Sequence, residues 1–176
     1  LRSLLNNLNR ADREVKAGEW KRESNRGREL GSCTVGIIGY GNMGSSFAQK
    51  LAGFDCKVLA YDKYKSNYGD KDAQESSLEQ LFENADIISL HVPLTDETKY
   101  MVDENFIKKF KKPIILLNAA RGPVVKTADL AKALKNGKIT AAGLDTIEYE
   151  ETSFEKTKSM SEISDFKYLA QCDNVI

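Results

Sequence analysis

Thr34-Val35-Gly36-Ile37-Ile38-Gly39-Tyr40-Gly41-Asn42-Met43-Gly44 decides the fold. A short apolar, β-rich run feeds directly into the pattern GxGxxG, and a helical pattern begins inside it. A glycine hexapeptide alone carries little weight. A strand entering it and a helix leaving it give it meaning. The first glycine then allows the tight turn, the second lets a ligand approach the backbone, and the third lets helix and strand pack closely. Backbone N–H groups at the start of that helix, with its dipole, suit a diphosphate.

Outward from this stretch, strand and helix patterns alternate. Residues 34–38, 57–61, 86–92, 113–120 and 139–144 read as strands, apolar without strict alternation, as parallel strands covered on both faces are. Helices are predicted over 43–53, 78–84, 104–110 and 128–136. Ser76 with Glu79 offers a capping box, Asp103 and Thr127 read as N-caps, and Gly137 suits a left-handed helix end. Short connections between these elements predict an α/β fold: a Rossmann-type, doubly wound parallel sheet in three αβα layers. It occupies residues 31–176, behind a leading helix and connector in residues 1–30. Leu1, Leu4, Leu5, Leu8, Ala11 and Val15 recur at helical spacing, which predicts one amphipathic helix over 1–17, ended by Gly18, with Trp20 as a packing anchor. Residues 21–30 read as a solvated connector. Residues 148–172 are acidic and rich in Ser and Thr, with a weak helix near 161–170.

Composition narrows the function. Lysine plus arginine equals aspartate plus glutamate, 26 each, so no net field favours nucleic acid or an anionic membrane. No apolar run approaches the roughly 18–20 residues that cross a bilayer, and no signal-peptide pattern opens the chain. Cys33, Cys56 and Cys172 are odd in number and widely spaced. They read as reduced thiols of a cytoplasmic protein, and with a single histidine they offer no metal site.

Asp62 closes the second strand, 18 residues after Gly44, the last glycine of the loop. A carboxylate there accepts both hydroxyls of an adenosine ribose and repels a 2′-phosphate, so the expected cofactor is NAD and not NADP. Lys63 beside it is a cation that works against this discrimination. Three more segments fall at the carboxyl ends of predicted strands, where open α/β sheets place their ligands. They are His91-Val92-Pro93-Leu94-Thr95 with Thr98, Asn118-Ala119-Ala120-Arg121-Gly122, and Ala142-Gly143-Leu144-Asp145 followed by Glu148, Glu150 and Glu151.

With these residues the sequence resembles the D-isomer-specific 2-hydroxyacid dehydrogenase family, and within it the phosphoglycerate dehydrogenases. The matching features run in order through the chain: Gly18-Glu19-Trp20, GIIGYGNMG ending at Gly44, Asp62, HVPLTDET from His91, NAARG from Asn118, and AGLD ending at Asp145. The resemblance implies hydride transfer between NAD(H) and C2 of a small 2-hydroxy or 2-oxo acid. It puts Gly39, Gly41, Asn42, Met43, Gly44, Asp62, Val92, Pro93, Ala119, Ala120, Arg121 and Asp145 around the cofactor. Arg121 would also grip the substrate carboxylate with its planar fork, with Gly122 freeing the backbone to present it. The family glutamate falls five residues after the aspartate of AGLD, on Glu150. It would hold the catalytic imidazole and raise its pKa. Here Glu151 follows where the family has proline, and Glu148 is also near.

His91, the only histidine, sits in the segment that contacts cofactor in the family. The acid/base histidine is expected just past Ile176. Leu1 falls inside a helical pattern and residues 173–176 read as the entry to a strand, so the chain reads as a piece of a longer enzyme without its substrate domain. The substrate expected first is 3-phosphoglycerate, with glyoxylate or hydroxypyruvate reduction as the alternative. An NAD(H)-sensing protein resembling the family's corepressors is a further reading. Family members dimerise through this domain, so the leading helix is expected to join a homodimer or to pack on its own sheet.

Overall fold

The computed structural model describes residues 1–149 and 163–176. Six parallel strands form one sheet: β1 (Thr34–Ile38), β2 (Lys57–Tyr61), β3 (Gln74–Glu75), β4 (Ile87–Leu90), β5 (Ile114–Asn118) and β6 (Ile139–Leu144). Their order is β3-β2-β1-β4-β5-β6. The chain winds outward from β1 in one direction and then returns to wind in the other, so the order reverses between β1 and β4. The helices are α1 (Arg2–Leu5), α2 (Leu8–Lys16), α3 (Asn42–Leu51), α4 (Leu78–Asn84), α5 (Glu104–Lys108), α6 (Thr127–Lys135) and α7 (Ser164–Gln171).

Successive strand residues serve opposite faces. Val35, Ile37, Val58, Ala60 and Ile87 pack with Leu5, Ala48 and Leu51 on one side. Ile38, Leu59, Ile88, Leu90, Ile114 and Leu116 pack with Leu81, Ile107, Leu130 and Leu169 on the other. Both faces are apolar, which is why the strands lack a polar alternation. The expected three layers are present, with α1 and α3 over one face and α4 to α7 over the other.

The single helix expected over 1–17 is two helices. Asn7 between them is left-handed, with φ 50, a conformation that a short polar side chain tolerates. Leu4 and Leu5 are buried in this domain's own core, while Leu8 and Val15 remain 56% and 51% exposed. Trp20, expected as an anchor, is 82% exposed.

The capping box of α4 is Ser77 with Gln80, one residue later than expected. Ser77 accepts from the Gln80 N–H and donates its own N–H to Gln80 Oε1 at 2.9 Å. Ser76 is taken by the sheet, because the two-residue β3 extends pairing until the Ser76 N–H meets the Ala60 carbonyl at 2.8 Å. Asp103 caps α5 as expected, accepting from the Phe106 N–H at 2.8 Å, and Gly137 has φ 75. Thr127 is the first residue of α6 and not its cap; its N–H donates to Glu148 Oε2 at 2.8 Å. At the other end Val175 pairs in parallel with Ala142, and the Ile176 N–H donates to the Ala142 carbonyl at 3.0 Å, as the strand-like reading of 173–176 expects. Among the described residues no helix is long and apolar enough to cross a membrane.

Candidate functional site

The carboxyl ends of β1, β2, β4, β5 and β6 share one edge of the sheet, and the residues singled out above cluster there. The loop between β1 and α3 is shaped by two glycines that nothing else can replace. Gly39 has φ 93, and a Cβ on it would lie 2.6 Å from the His91 carbonyl oxygen. A Cβ on Gly44 would lie 2.0 Å from the Gly39 carbonyl oxygen. Gly41 differs, since a Cβ there would meet nothing within 4 Å. The protein does not itself require glycine at that position. The open space lies at the N-cap of α3; among the described residues no side chain caps α3, nor α2, α6 or α7, whereas Ser77 and Asp103 cap α4 and α5. An uncapped helix start with room before its N–H groups fits a diphosphate. Asn42 and Met43 follow in the first turn, with Met43 67% exposed.

Tyr40, the loop position passed over in the sequence, anchors this geometry. Its ring is buried, its hydroxyl donates to Asp70 Oδ2 at 2.9 Å, and its N–H donates to Asp62 Oδ2 at 2.9 Å. Burial, reinforced by Asp70, pushes the phenol pKa up, so the hydroxyl stays a donor at neutral pH. Asp62 Oδ1 accepts from the Tyr64 N–H at 3.0 Å. Two backbone donors therefore fix the carboxylate beside the loop. A cleft of about 290 Å³ opens there, lined by Gly41, Asp62, Val92, Pro93 and Met101 among others.

Across the switch point, His91 is turned inward. Its Nε2 lies 2.9 Å from Ser89 Oγ, its ring centroid is 5.3 Å from that of Phe47, and its Nδ1 is buried without a partner among the described residues. Burial lowers its pKa, which keeps the ring neutral at pH 7. This environment suits a packed, structural imidazole.

At the end of β5 a second missed residue, Asn118, builds the turn. Buried at 1% exposure, it accepts from the Ala120 N–H and donates to the Arg121 carbonyl, both at 3.1 Å. Its own carbonyl accepts the Asp145 N–H at 3.0 Å, tying the ends of β5 and β6 together. Ala120 is buried, Ala119 and Asp145 are exposed, and Arg121 projects outward with Nη1 donating to the Ala120 carbonyl at 2.7 Å. Gly122 serves a different end from the one expected: a Cβ on it would lie 2.0 Å from the Ile147 carbonyl oxygen, so it makes room for the chain after β6. Glu148 holds the start of α6 by accepting the Thr127 N–H, and its carboxylate near the Tyr100 hydroxyl raises the Tyr100 pKa. Glu150 and Glu151 lie outside the described residues.

Four strand steps separate β2 from β6, about 19 Å at about 4.8 Å per step. Asp62 and Asp145 thus face opposite ends of any ligand laid along the edge. The family model described as D-isomer specific 2-hydroxyacid dehydrogenase, NAD binding domain, matches residues 1–176. The chain belongs to this family. It is 43% identical over 155 residues to a D-lactate dehydrogenase of Streptococcus pyogenes serotype M1, covering 86% of this chain and 47% of that protein. It is 40% identical over 150 residues to a glyoxylate reductase of Pyrococcus furiosus, covering 80% of this chain and 45% of that protein. The D-lactate dehydrogenase of Aquifex aeolicus, solved with NAD and lactic acid, superposes with a TM-score of 0.87 at 36% identity, over 99% of this chain and 54% of that one. The chain therefore spans about half the length of the curated relatives it matches. As an NAD-binding domain of the 2-hydroxyacid dehydrogenases it has its switch point between β1 and β4, where dinucleotide-binding sheets of this strand order open.

Proposed function

We propose that the protein containing this chain is an NAD-dependent oxidoreductase acting at C2 of a small 2-hydroxy or 2-oxo acid. The observation that carries this reading is the open space at Gly41 before an uncapped α3, flanked by a fixed Asp62 on one side and an outward Arg121 on the other. NAD(H) held along this edge would supply the hydride chemistry. Gly41, Asn42 and Met43 seat the diphosphate at the start of α3, while Gly39, whose N–H donates to the Tyr61 carbonyl, and Gly44 give the loop its shape. Asp62 accepts the adenosine ribose hydroxyls, and Val92 and Pro93 wall that end. Ala119, Ala120 and Asp145 border the nicotinamide end. Arg121 grips the substrate carboxylate and polarises the 2-oxo group, which a bidentate guanidinium does better than an ammonium.

Glu150 supports the imidazolium of the acid/base histidine. The support for it over Glu148 is that Glu148 already accepts the Thr127 N–H at the start of α6. The proton donor itself comes from outside these 176 residues, because His91 is the only histidine and its ring is packed inward. For the substrate, the D-lactate dehydrogenase and glyoxylate reductase relatives support a short, unphosphorylated 2-oxo acid over the 3-phosphoglycerate expected from the sequence. Replacing Asp62 with Ala should narrow the preference for NADH over NADPH; dissociation constants whose ratio stays as in the unaltered protein would contradict its role.

The protein acts as a homodimer. Leu5 is used internally, but Leu8, Val15 and Trp20 leave apolar surface along α2 and just after it for a second copy. Light scattering at tens of micromolar protein is expected to give the dimer mass, and a monomer mass would contradict it.

A further inference from the structure

Lys63 stands directly after Asp62, where a free ammonium would attract a 2′-phosphate. It is not free. Its Nζ donates to Glu97 Oε2 at 2.6 Å, and the Tyr64 hydroxyl donates to the same oxygen at 2.6 Å. Glu97 belongs to the loop after β4, so these contacts join the end of β2 to the end of β4. Asp62, Lys63, Tyr64 and Glu97 all line the same cleft. Lys65, the next cation, is occupied as well, donating to the Tyr40 carbonyl at 2.6 Å.

Lys63 and Glu97 are more than half exposed, so their pairing adds little to stability. Its consequence lies in where it holds the charge. Pairing favours the charged form of each partner: Lys63 lowers the Glu97 pKa, and Glu97 raises that of Lys63. A 2′-phosphate at Asp62 would therefore meet one carboxylate directly and a second one already holding the nearby ammonium. To use Lys63 it would first have to break the Glu97 contact.

We infer that Glu97 is a cofactor-specificity residue that acts through Lys63, withholding the ammonium from a 2′-phosphate and so excluding NADPH. This rests on the reading that the adenosine ribose binds at Asp62. The test compares NADH and NADPH dissociation constants by calorimetry for the unaltered full-length protein, Glu97→Gln, and Glu97→Gln combined with Lys63→Ala. Glu97→Gln should shrink the NADH preference roughly fivefold, chiefly through tighter NADPH binding, the scale of an exposed charge pair. The double variant should lose that gain, and added salt should erode it. An unchanged ratio in Glu97→Gln overturns the inference and leaves the cofactor site standing. A shrunken ratio that survives in the double variant also overturns it, because the effect then does not pass through Lys63. Failure of the unaltered protein to bind NADH removes the cofactor reading itself, and this inference with it.

Discussion

Replacing Arg121 with Lys is expected to lower kcat/KM for the 2-oxo acid by roughly a hundredfold in the full-length enzyme, about 2.7 kcal/mol of transition-state stabilisation. The charge is kept, so the loss measures the planar fork. Lysine offers one ammonium where the guanidinium offers two parallel N–H donors to a carboxylate. The turn that presents residue 121 should survive, because it is built by Asn118 and by the close approach of Gly122 to Ile147, neither of which uses the Arg121 side chain. The dissociation constant for NADH should therefore change little. Steady-state kinetics and NADH titration on the same preparation separate the two effects. Turnover within a factor of two of the unaltered enzyme would remove Arg121 from the substrate site.

The glycines of the loop should divide into two kinds. Gly44→Ala places a methyl 2.0 Å from the Gly39 carbonyl oxygen. Neither a backbone oxygen nor a packed helix gives way easily, so the variant should lose about 3 kcal/mol or more of stability. Gly41→Ala meets nothing within 4 Å and has φ −85, which any L-residue adopts. Its cost should stay within about 1 kcal/mol, that of a poorer N-cap. Its NADH affinity should fall at least about tenfold, or 1.4 kcal/mol, because the methyl enters the space reserved for the diphosphate. Thermal or urea unfolding beside an NADH titration reads both. A Gly41→Ala protein that binds NADH normally would mean that the open space serves no diphosphate.

The same contrast shows what was legible in the sequence. The loop could be read because each element of the argument is local: a strand, three glycines and a helix in one short stretch. The sheet could be read because residues such as Ile37 and Ile38 are both apolar yet face opposite layers, a property of neighbours in the chain. The places where reading failed depend on contacts between distant segments. Pairing with β2 drew Ser76 into the sheet and left capping to Ser77, and a two-residue strand has too little sequence to announce itself. Leading-helix periodicity continued through Asn6 and Asn7, but Asn7 turned left-handed there and divided it. Gly122 is glycine because the chain returns at Ile147. Tyr40, Asn118 and Glu97 were missed for the same reason, since each acts on groups that only the fold brings near. Arg121 and Asp62 could be placed at strand ends because the alternation itself fixes those positions.

The central claim is that this edge of the sheet binds NAD(H), with Asp62 setting the choice of cofactor. Calorimetric titration of the unaltered protein with NADH and, separately, NADPH tests it most directly. The account predicts saturable one-site binding of NADH, with NADPH at least about tenfold weaker, a gap of about 1.4 kcal/mol. Equal affinities for the two cofactors, or no binding of NADH even at millimolar concentration, would contradict it.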